Sequence, residues 1–303
     1  MRFVLFDHQA KSKTFVDALA PKYVPVPRAD PNIKDAKFVL TDNDVLSRQQ
    51  RLEGFRRLGI QHVFVYPHTA RPSIVAAFYD LWQHTTAEFV STEGHIEIMR
   101  AMGNTHALHA VGWSLCPILP FQSRAQVRNV LFAPIHPRNS SIDRKLNQAV
   151  LDKLYPFVLS GEINLTVRYL IPFEGNGIKK YEHVNYVEGT AGPAWKDIDA
   201  ADLVVSHQTF AMLSVARGVP TLMMGEGTPQ HVEFRNGDYR EARGWDGYHH
   251  LIDFPLDLLA VDDARSLMQR AVSTDADIIE WKSRMIGDPF DGEKFVKILE
   301  SYL

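Results

Sequence analysis

Short, uninterrupted apolar runs alternate along this chain with longer stretches whose apolar residues recur at helical spacing. A strand with one face in water alternates apolar and polar residues. An uninterrupted β-prone run needs cover on both faces, which intervening helices supply in a parallel sheet. Arg2-Phe3-Val4-Leu5-Phe6 is such a run; it ends at Asp7-His8, and an amphipathic stretch follows over 14–19. β-runs come next at 23–26 and 37–40, then a helix over 45–58 carried by Leu46, Leu52, Phe55 and Leu58. The spacing then gives a strand at 62–66, a helix over 73–84, a strand at 88–91, a helix over 94–102 and a strand at 107–111. This half reads as a doubly wound α/β unit.

The pattern breaks between Trp113 and Arg128, around Pro117 and Pro120, and a new β-run starts at 129–133. The rhythm then resumes with a helix over 145–159, strands at 165–171 and 184–187, and a helix opening near Trp195. A strand at 203–206, a helix over 209–217 and a strand at 221–224 follow. The segment 226–250 is punctuated by Gly and Pro, holds few apolar residues and reads as a long loop, of the kind that often carries function. Helices are expected over 262–272, 275–285 and from 291 to 302. A chain of 303 residues has room for two domains with separate cores. The boundaries are set at 1–120, 121–288 and a C-terminal helix, 289–303, expected to pack back toward the first domain. A cleft between the domains is where a site is expected.

Composition removes several classes. Thirty-three Lys and Arg against thirty-six Asp and Glu give a formal charge of −3, without the basic footprint of a dedicated nucleic-acid binder. The single cysteine, Cys116, excludes an intrachain disulfide and a Cys-rich zinc site. No secretory h-region and no membrane-length apolar run is present, so a cytoplasmic protein is expected. The adjacent His249 and His250 lack the i,i+3 or i,i+4 spacing of helical metal ligands, and no metal is expected. Of the basic runs 48–57 and 124–128, the first reads as the solvated face of a helix; alternatively Arg48, Arg51, Arg56 and Arg57 border an anionic acceptor. Trp113, Trp195 and Trp245 read as core.

In open parallel sheets ligands bind beyond the carboxyl ends of the strands. That rule selects Asp7, His8 and Lys11, then His68 and Arg71, in the first half. In the second half it selects His136, Arg138, Tyr169, His207-Gln208-Thr209 and Glu226. At 201–213 a strand ends in small polar residues that open a helix, whose unpaired N–H groups and dipole favour an anion such as a diphosphate. The hydroxyls of Ser206 and Thr209 and the His207 imidazole would add donors there. The plainer alternative is that Ser206 or Thr209 caps the helix. Arg217-Gly218-Val219-Pro220 closes the helix with Gly and opens the next strand with Pro.

Residues 201–224, ADLVVSHQTFAMLSVARGVPTLMM, resemble the donor-diphosphate segment of GT-B glycosyltransferases. The order of His62–Thr69 (HVFVYPHT), Phe89–Glu93 (FVSTE), Val111-Gly112-Trp113 and Val130–Pro134 (VLFAP) is similar to the CDP-glycerol glycerophosphotransferase branch of that fold, over roughly 60–225. Pro67-His68-Thr69 stands in place of that branch's WHG, Arg168-Tyr169 in place of Arg/Lys-x-His, and Ser206-His207-Gln208-Thr209 in place of a DYSS-type phosphate site. Ser214 stands where many nucleotide-sugar transferases carry a carboxylate.

The resemblance implies a GT-B α/β fold: two Rossmann-like domains, acceptor-side then donor-side, with parallel sheets facing across a cleft. It implies a metal-independent glycosyltransferase moving a sugar from a nucleotide-diphosphate donor to a hydroxyl acceptor, whether small molecule, glycan or a hydroxylated DNA base. The nucleotide-sugar is a co-substrate and no further cofactor is expected. His68 is aligned with the catalytic base, with His8 and Asp7 next. Ser206, His207, Gln208, Thr209, His136, Arg138, Arg168 and Glu226 are donor-side candidates, and Lys11 and Arg71 acceptor-side ones. Alternatives on the same fold are an alditol-phosphate transferase of the CDP-glycerol type, a UDP-sugar 2-epimerase, and a non-catalytic nucleotide-sugar-binding protein.

Overall fold

The structure, a computed structural model, describes residues 1–6, 9–26, 33–42, 57–67, 85–101, 105–134, 141–169, 178–189, 194–224, 229–233, 239–243 and 254–303. In chain order these form β1 (Arg2–Phe6), α1 (Gln9–Leu19), β2 (Val24–Val26), β3 (Phe38–Asp42), β4 (His62–Tyr66), β5 (Ala87–Val90), α2 (Glu93–Ala101) and β6 (Leu108–Ala110). There follow β7 (Asn129–Phe132), α3 (Ser141–Leu159), β8 (Asn164–Tyr169), β9 (Asn185–Glu188), α4 (Ala194–Asp199), β10 (Leu203–Ser206), α5 (Gln208–Ala216) and β11 (Thr221–Met223). The chain ends with β12 (Pro229–Glu233), β13 (Tyr239–Arg243), α6 (Ala264–Val272), α7 (Ala276–Met285) and α8 (Gly292–Glu300). The chain divides into two compact units, Met1–Pro117 with Ser283–Leu303, and Ile118–Lys282.

The first unit holds a six-stranded sheet in the order β2-β1-β3-β4-β5-β6. Every pairing in it is parallel. All four residues of β5 are buried, which is why its sequence does not alternate. One of them is Glu88, whose carboxyl is pushed up to about 8 by burial and so stays neutral in ordinary buffer.

One face of the sheet meets α1 and α8 in a core of Phe3, Phe15, Phe38, Phe64, Tyr66, Phe89 and Phe295. Asp291 caps α8 by accepting from the Lys294 amide at 2.9 Å, and the helix then buries Phe295 and Leu299. The Phe295 ring lies edge-on to Phe15 and Phe89, with centroids 5.1 and 4.7 Å away. The segment leading into α8 is hydrogen-bonded to the chain after β6: the Trp113 amide donates to Asp288 O at 2.8 Å, and the Asp291 amide to Val111 O at 2.8 Å. Gly112, at φ +90°, makes room for this, since a Cβ there would lie 2.3 Å from Pro289 O.

The second unit holds a five-stranded parallel sheet in the order β11-β10-β7-β8-β9. The chain builds β7, β8 and β9 outward in one direction, then returns to lay β10 on the other side of β7. The strand order therefore reverses between β7 and β10, as in Rossmann-type sheets. All four residues of β10 are buried.

Two expectations meet the structure differently. Residues 226–250 read as a loop, yet β12 and β13 pair as an antiparallel hairpin with Pro229 opposite Arg243 and Glu233 opposite Tyr239. The scarcity of apolar residues hid it, although Asn236-Gly237 is a strong hairpin-turn signal. Trp113 is buried, but Trp195 is 44% exposed, because it sits in the first turn of α4, whose only buried residue is Ile198. The helix expected over 45–58, apart from its last two residues, and the helix over 73–84 lie outside the described residues, as does Trp245. Among the described residues no helix is long and apolar enough to cross a membrane.

Candidate functional site

The reversal point of the second sheet is built from the ends of β7 and β10. Val205 pairs with Phe132, the Ala133 amide donates to Val205 O at 3.0 Å, and the Ser206 hydroxyl donates to Ala133 O at 2.9 Å. Ser206 is 2% exposed, so its hydroxyl joins the two strand ends instead of opening outward. The chain leaves β10 through His207, which is extended (φ −131°, ψ 153°) and serves as N-cap of α5 without a side-chain cap bond. The first amides of α5 thus begin one residue beyond the carboxyl edge of the sheet, where the helix dipole favours negative charge. His207 is 5% exposed and Thr209 half-buried.

The far end of α5 is fixed as its sequence suggests. Gly218 has φ +74°, and a Cβ there would lie 1.9 Å from Pro120 O. Ser214 is fully buried and turns its hydroxyl back onto Phe210 O and Ala211 O, at 3.1 and 2.8 Å. The absence of a carboxylate at this position therefore follows from packing.

Arg168, near the end of β8, is 5% exposed. Its Nε donates to Asp197 Oδ2 at 2.6 Å, an Nη donates to the Gly189 carbonyl, and its guanidinium carbon lies 5.6 Å from the centre of the Phe210 ring. The structure thus gathers Ser206, His207, Thr209 and Arg168 around β8, β10 and the start of α5.

Asp7, His8, His68, Arg71, His136, Arg138, Glu226 and the His249-His250 pair lie outside the described residues; Lys11 and Gln208 stand on α1 and α5 with side chains outside the description. The basic run 124–128 is tied to Asp202 just before β10: Arg124 Nε is 3.7 Å from Asp202 Oδ1, and the Arg128 and Asn129 amides donate to Oδ2. That places it at the amino edge of the sheet, opposite the carboxyl edge where α5 begins. Among the described residues no group of three or more His, Cys, Asp or Glu could hold a metal ion.

Sequence reasoning did not single out a polar cluster at the carboxyl edge of the first unit's sheet. Thr92 Oγ1 caps α2 by accepting from the His95 amide at 3.2 Å. His95 is buried and pushed down to about 4 by desolvation, against which a hydrogen bond with the Met285 backbone acts. The chain around Arg284–Gly287 covers this cluster: a Cβ on Gly94 would lie 2.7 Å from Arg284 O, and one on Gly287 2.8 Å from Thr92 Cγ2. Thr92, Gly94 and His95 therefore form the seat of that segment. The Ser-Thr pair ahead of a helix was the available signal.

No protein-family model matches the chain, and no curated protein matches it. Solved structures do. The S. aureus MnaA–UDP co-structure superposes with a TM-score of 0.60 at 10% identity, covering 99% of this chain and 96% of that one. The wall teichoic acid polymerase TagF superposes with a TM-score of 0.54 at 11% identity, covering 99% and 87%. At such identities the likeness is one of fold.

Proposed function

From the GT-B fold that this chain adopts, we propose that it is a glycosyltransferase moving a sugar from a nucleotide-diphosphate donor to a hydroxyl acceptor. The observation that carries this reading is the start of α5 at the strand-order reversal of the second sheet, held there by the Ser206–Ala133 hydrogen bond. The N-terminus of a helix at such a reversal point suits a diphosphate. The likeness to a protein solved with UDP supports a nucleotide as the ligand.

In this reading the amides opening α5, with His207, Thr209 and Gln208, bind the diphosphate, and Ser206 and Arg168 hold that turn in position. His136, Arg138 and Glu226 complete the donor side, and Lys11 and Arg71 the acceptor side. His68 takes the proton of the acceptor hydroxyl, with His8 or Asp7 next in line. The acceptor oxygen forms a bond to the anomeric carbon as the bond to the diphosphate oxygen breaks, and the departing charge falls at the helix N-terminus. No metal is required, because the helix end supplies the positive potential.

The test is a thermal-shift and calorimetric panel of UDP, GDP, CDP and ADP with their sugar-linked forms. A ligand that binds only the folded state raises the melting temperature. One nucleotide series is expected to shift it, with or without EDTA; no shift with any of them overturns the reading. Product analysis with the donor so found separates transfer to a hydroxyl from epimerisation and from alditol-phosphate transfer. His68→Ala is expected to lose turnover and keep donor binding.

A further inference from the structure

Arg168 is a donor-side candidate from the sequence, yet its own contacts point elsewhere. Its Nε is engaged with Asp197 on α4, and an Nη with the Gly189 carbonyl after β9. The guanidinium also faces Phe210, in the first turn of α5. A buried guanidinium is tolerated only when paired and hydrogen-bonded, and here the pairing is with a carboxylate that is itself 46% exposed. The cation is therefore neutralised, and its planar fork is spent on joining separate elements. We propose that Arg168 is a positioning residue: through Asp197, Gly189 and Phe210 it fixes the first turn of α5, and so the direction of the amides that meet the donor. This rests on the donor reading above for its functional consequence, but not for the brace itself.

A brace and a direct ligand respond differently to loss of the partner carboxylate. Asp197→Asn removes the counter-charge without touching Arg168. A guanidinium that contacted a diphosphate would be freed by this change and would bind at least as tightly. A guanidinium that acts by holding Phe210 loses its anchor, and binding weakens. Lysine cannot reproduce the fork that reaches a carboxylate and a carbonyl together, so Arg168→Lys should rescue only in part.

The experiment measures UDP affinity by calorimetry, and amide exchange at Ala211 and Met212, in the wild type, Arg168→Gln, Arg168→Lys, Asp197→Asn and the Arg168→Gln/Asp197→Asn double variant. The expected result is about tenfold weaker UDP binding in Arg168→Gln and in Asp197→Asn, with no further loss in the double variant. Arg168→Lys should fall between them and the wild type. Exchange at Ala211 and Met212, the first amides bonded within α5, should quicken in all four variants, while that of β7 and β10 stays unchanged. Unaltered or tighter UDP binding in Asp197→Asn, additive losses in the double variant, or unchanged exchange at Ala211 and Met212 would each overturn the proposal. If the wild type binds no UDP, the donor reading loses its UDP arm, and the exchange measurement alone still decides whether Arg168 braces α5.

Discussion

The Ser206 hydroxyl donates to the Ala133 carbonyl at 2.9 Å, so one side-chain bond joins the carboxyl ends of β10 and β7 where the strand order of the second sheet reverses. Both groups are buried, and removing the donor leaves a carbonyl without that partner. Ser206→Ala is expected to cost about 1 kcal/mol of stability in urea unfolding. If the bond also holds the start of α5, UDP affinity falls with it. Lost stability with unchanged affinity would confine the bond to the fold.

The first unit carries groups whose protonation is set by burial. His95 and His106 are both pushed down from 6.5 to about 4, and Glu88 is pushed up from 4.5 to about 8, desolvation being the largest cause each time. Between pH 4.5 and 6.5 the unfolded chain protonates both histidines, which the folded chain leaves neutral, so stability rises with pH. Over the same range Glu88 acts in the opposite direction, because the unfolded chain has lost the proton that the folded chain keeps. Two groups outweigh one below pH 6.5, and above it Glu88 acts alone until about 8. These three groups therefore place the stability maximum near pH 6.5. Melting temperatures across pH 4 to 8 check this, and Glu88→Gln should abolish the decline on the alkaline side. A decline that persists in Glu88→Gln would assign it to another group.

Gly112 is the point where the chain after β6 and the segment before α8 come closest. Alanine there would combine a φ of +90° with a Cβ 2.3 Å from Pro289 O, a backbone atom unable to move aside cheaply. Gly112→Ala is expected to lower stability by more than about 1 kcal/mol. Because Gly161, also at positive φ, has open space around it, Gly161→Ala should cost less. Equal costs at the two positions would show that the close approach to Pro289 contributes nothing.

The strands were legible because burial on both faces leaves a nearly continuous apolar signature, interrupted in β5 by Glu88: β4, β5 and β10 stand where their runs predict, within a residue. The start of α5 was legible for the same local reason, a buried strand giving way to polar residues and a helix. Arg168 was not, since its partners Asp197 and Gly189 lie 29 and 21 residues away on other elements. A pattern read along the chain sees an arginine after a strand, and only the fold shows where its charge goes. The seat formed by Thr92 and His95 escaped for the same reason, because what covers it arrives about 190 residues later, at Arg284–Gly287. The β12–β13 hairpin is a different failure, where apolar content was weighed above the turn chemistry of Asn236-Gly237.

His207 offers a test in which stability and binding should move in opposite directions. It is the N-cap of α5 and makes no side-chain cap bond, so that role is left unfilled by an imidazole. Asparagine is among the best N-cap residues, and its shorter side chain can accept from an amide of the first turn. His207→Asn should therefore strengthen the start of α5 by about 1 kcal/mol and raise the melting temperature. The same cap bond engages an amide that the donor diphosphate would otherwise meet, and the imidazole is lost as well, so UDP affinity should fall about tenfold. Ser, also a good cap, should behave similarly, while Ala should weaken binding without the gain in stability. If His207→Asn binds UDP as the wild type does, neither the imidazole nor the capped amide contacts the nucleotide, and the donor must sit elsewhere along the edge of the sheet.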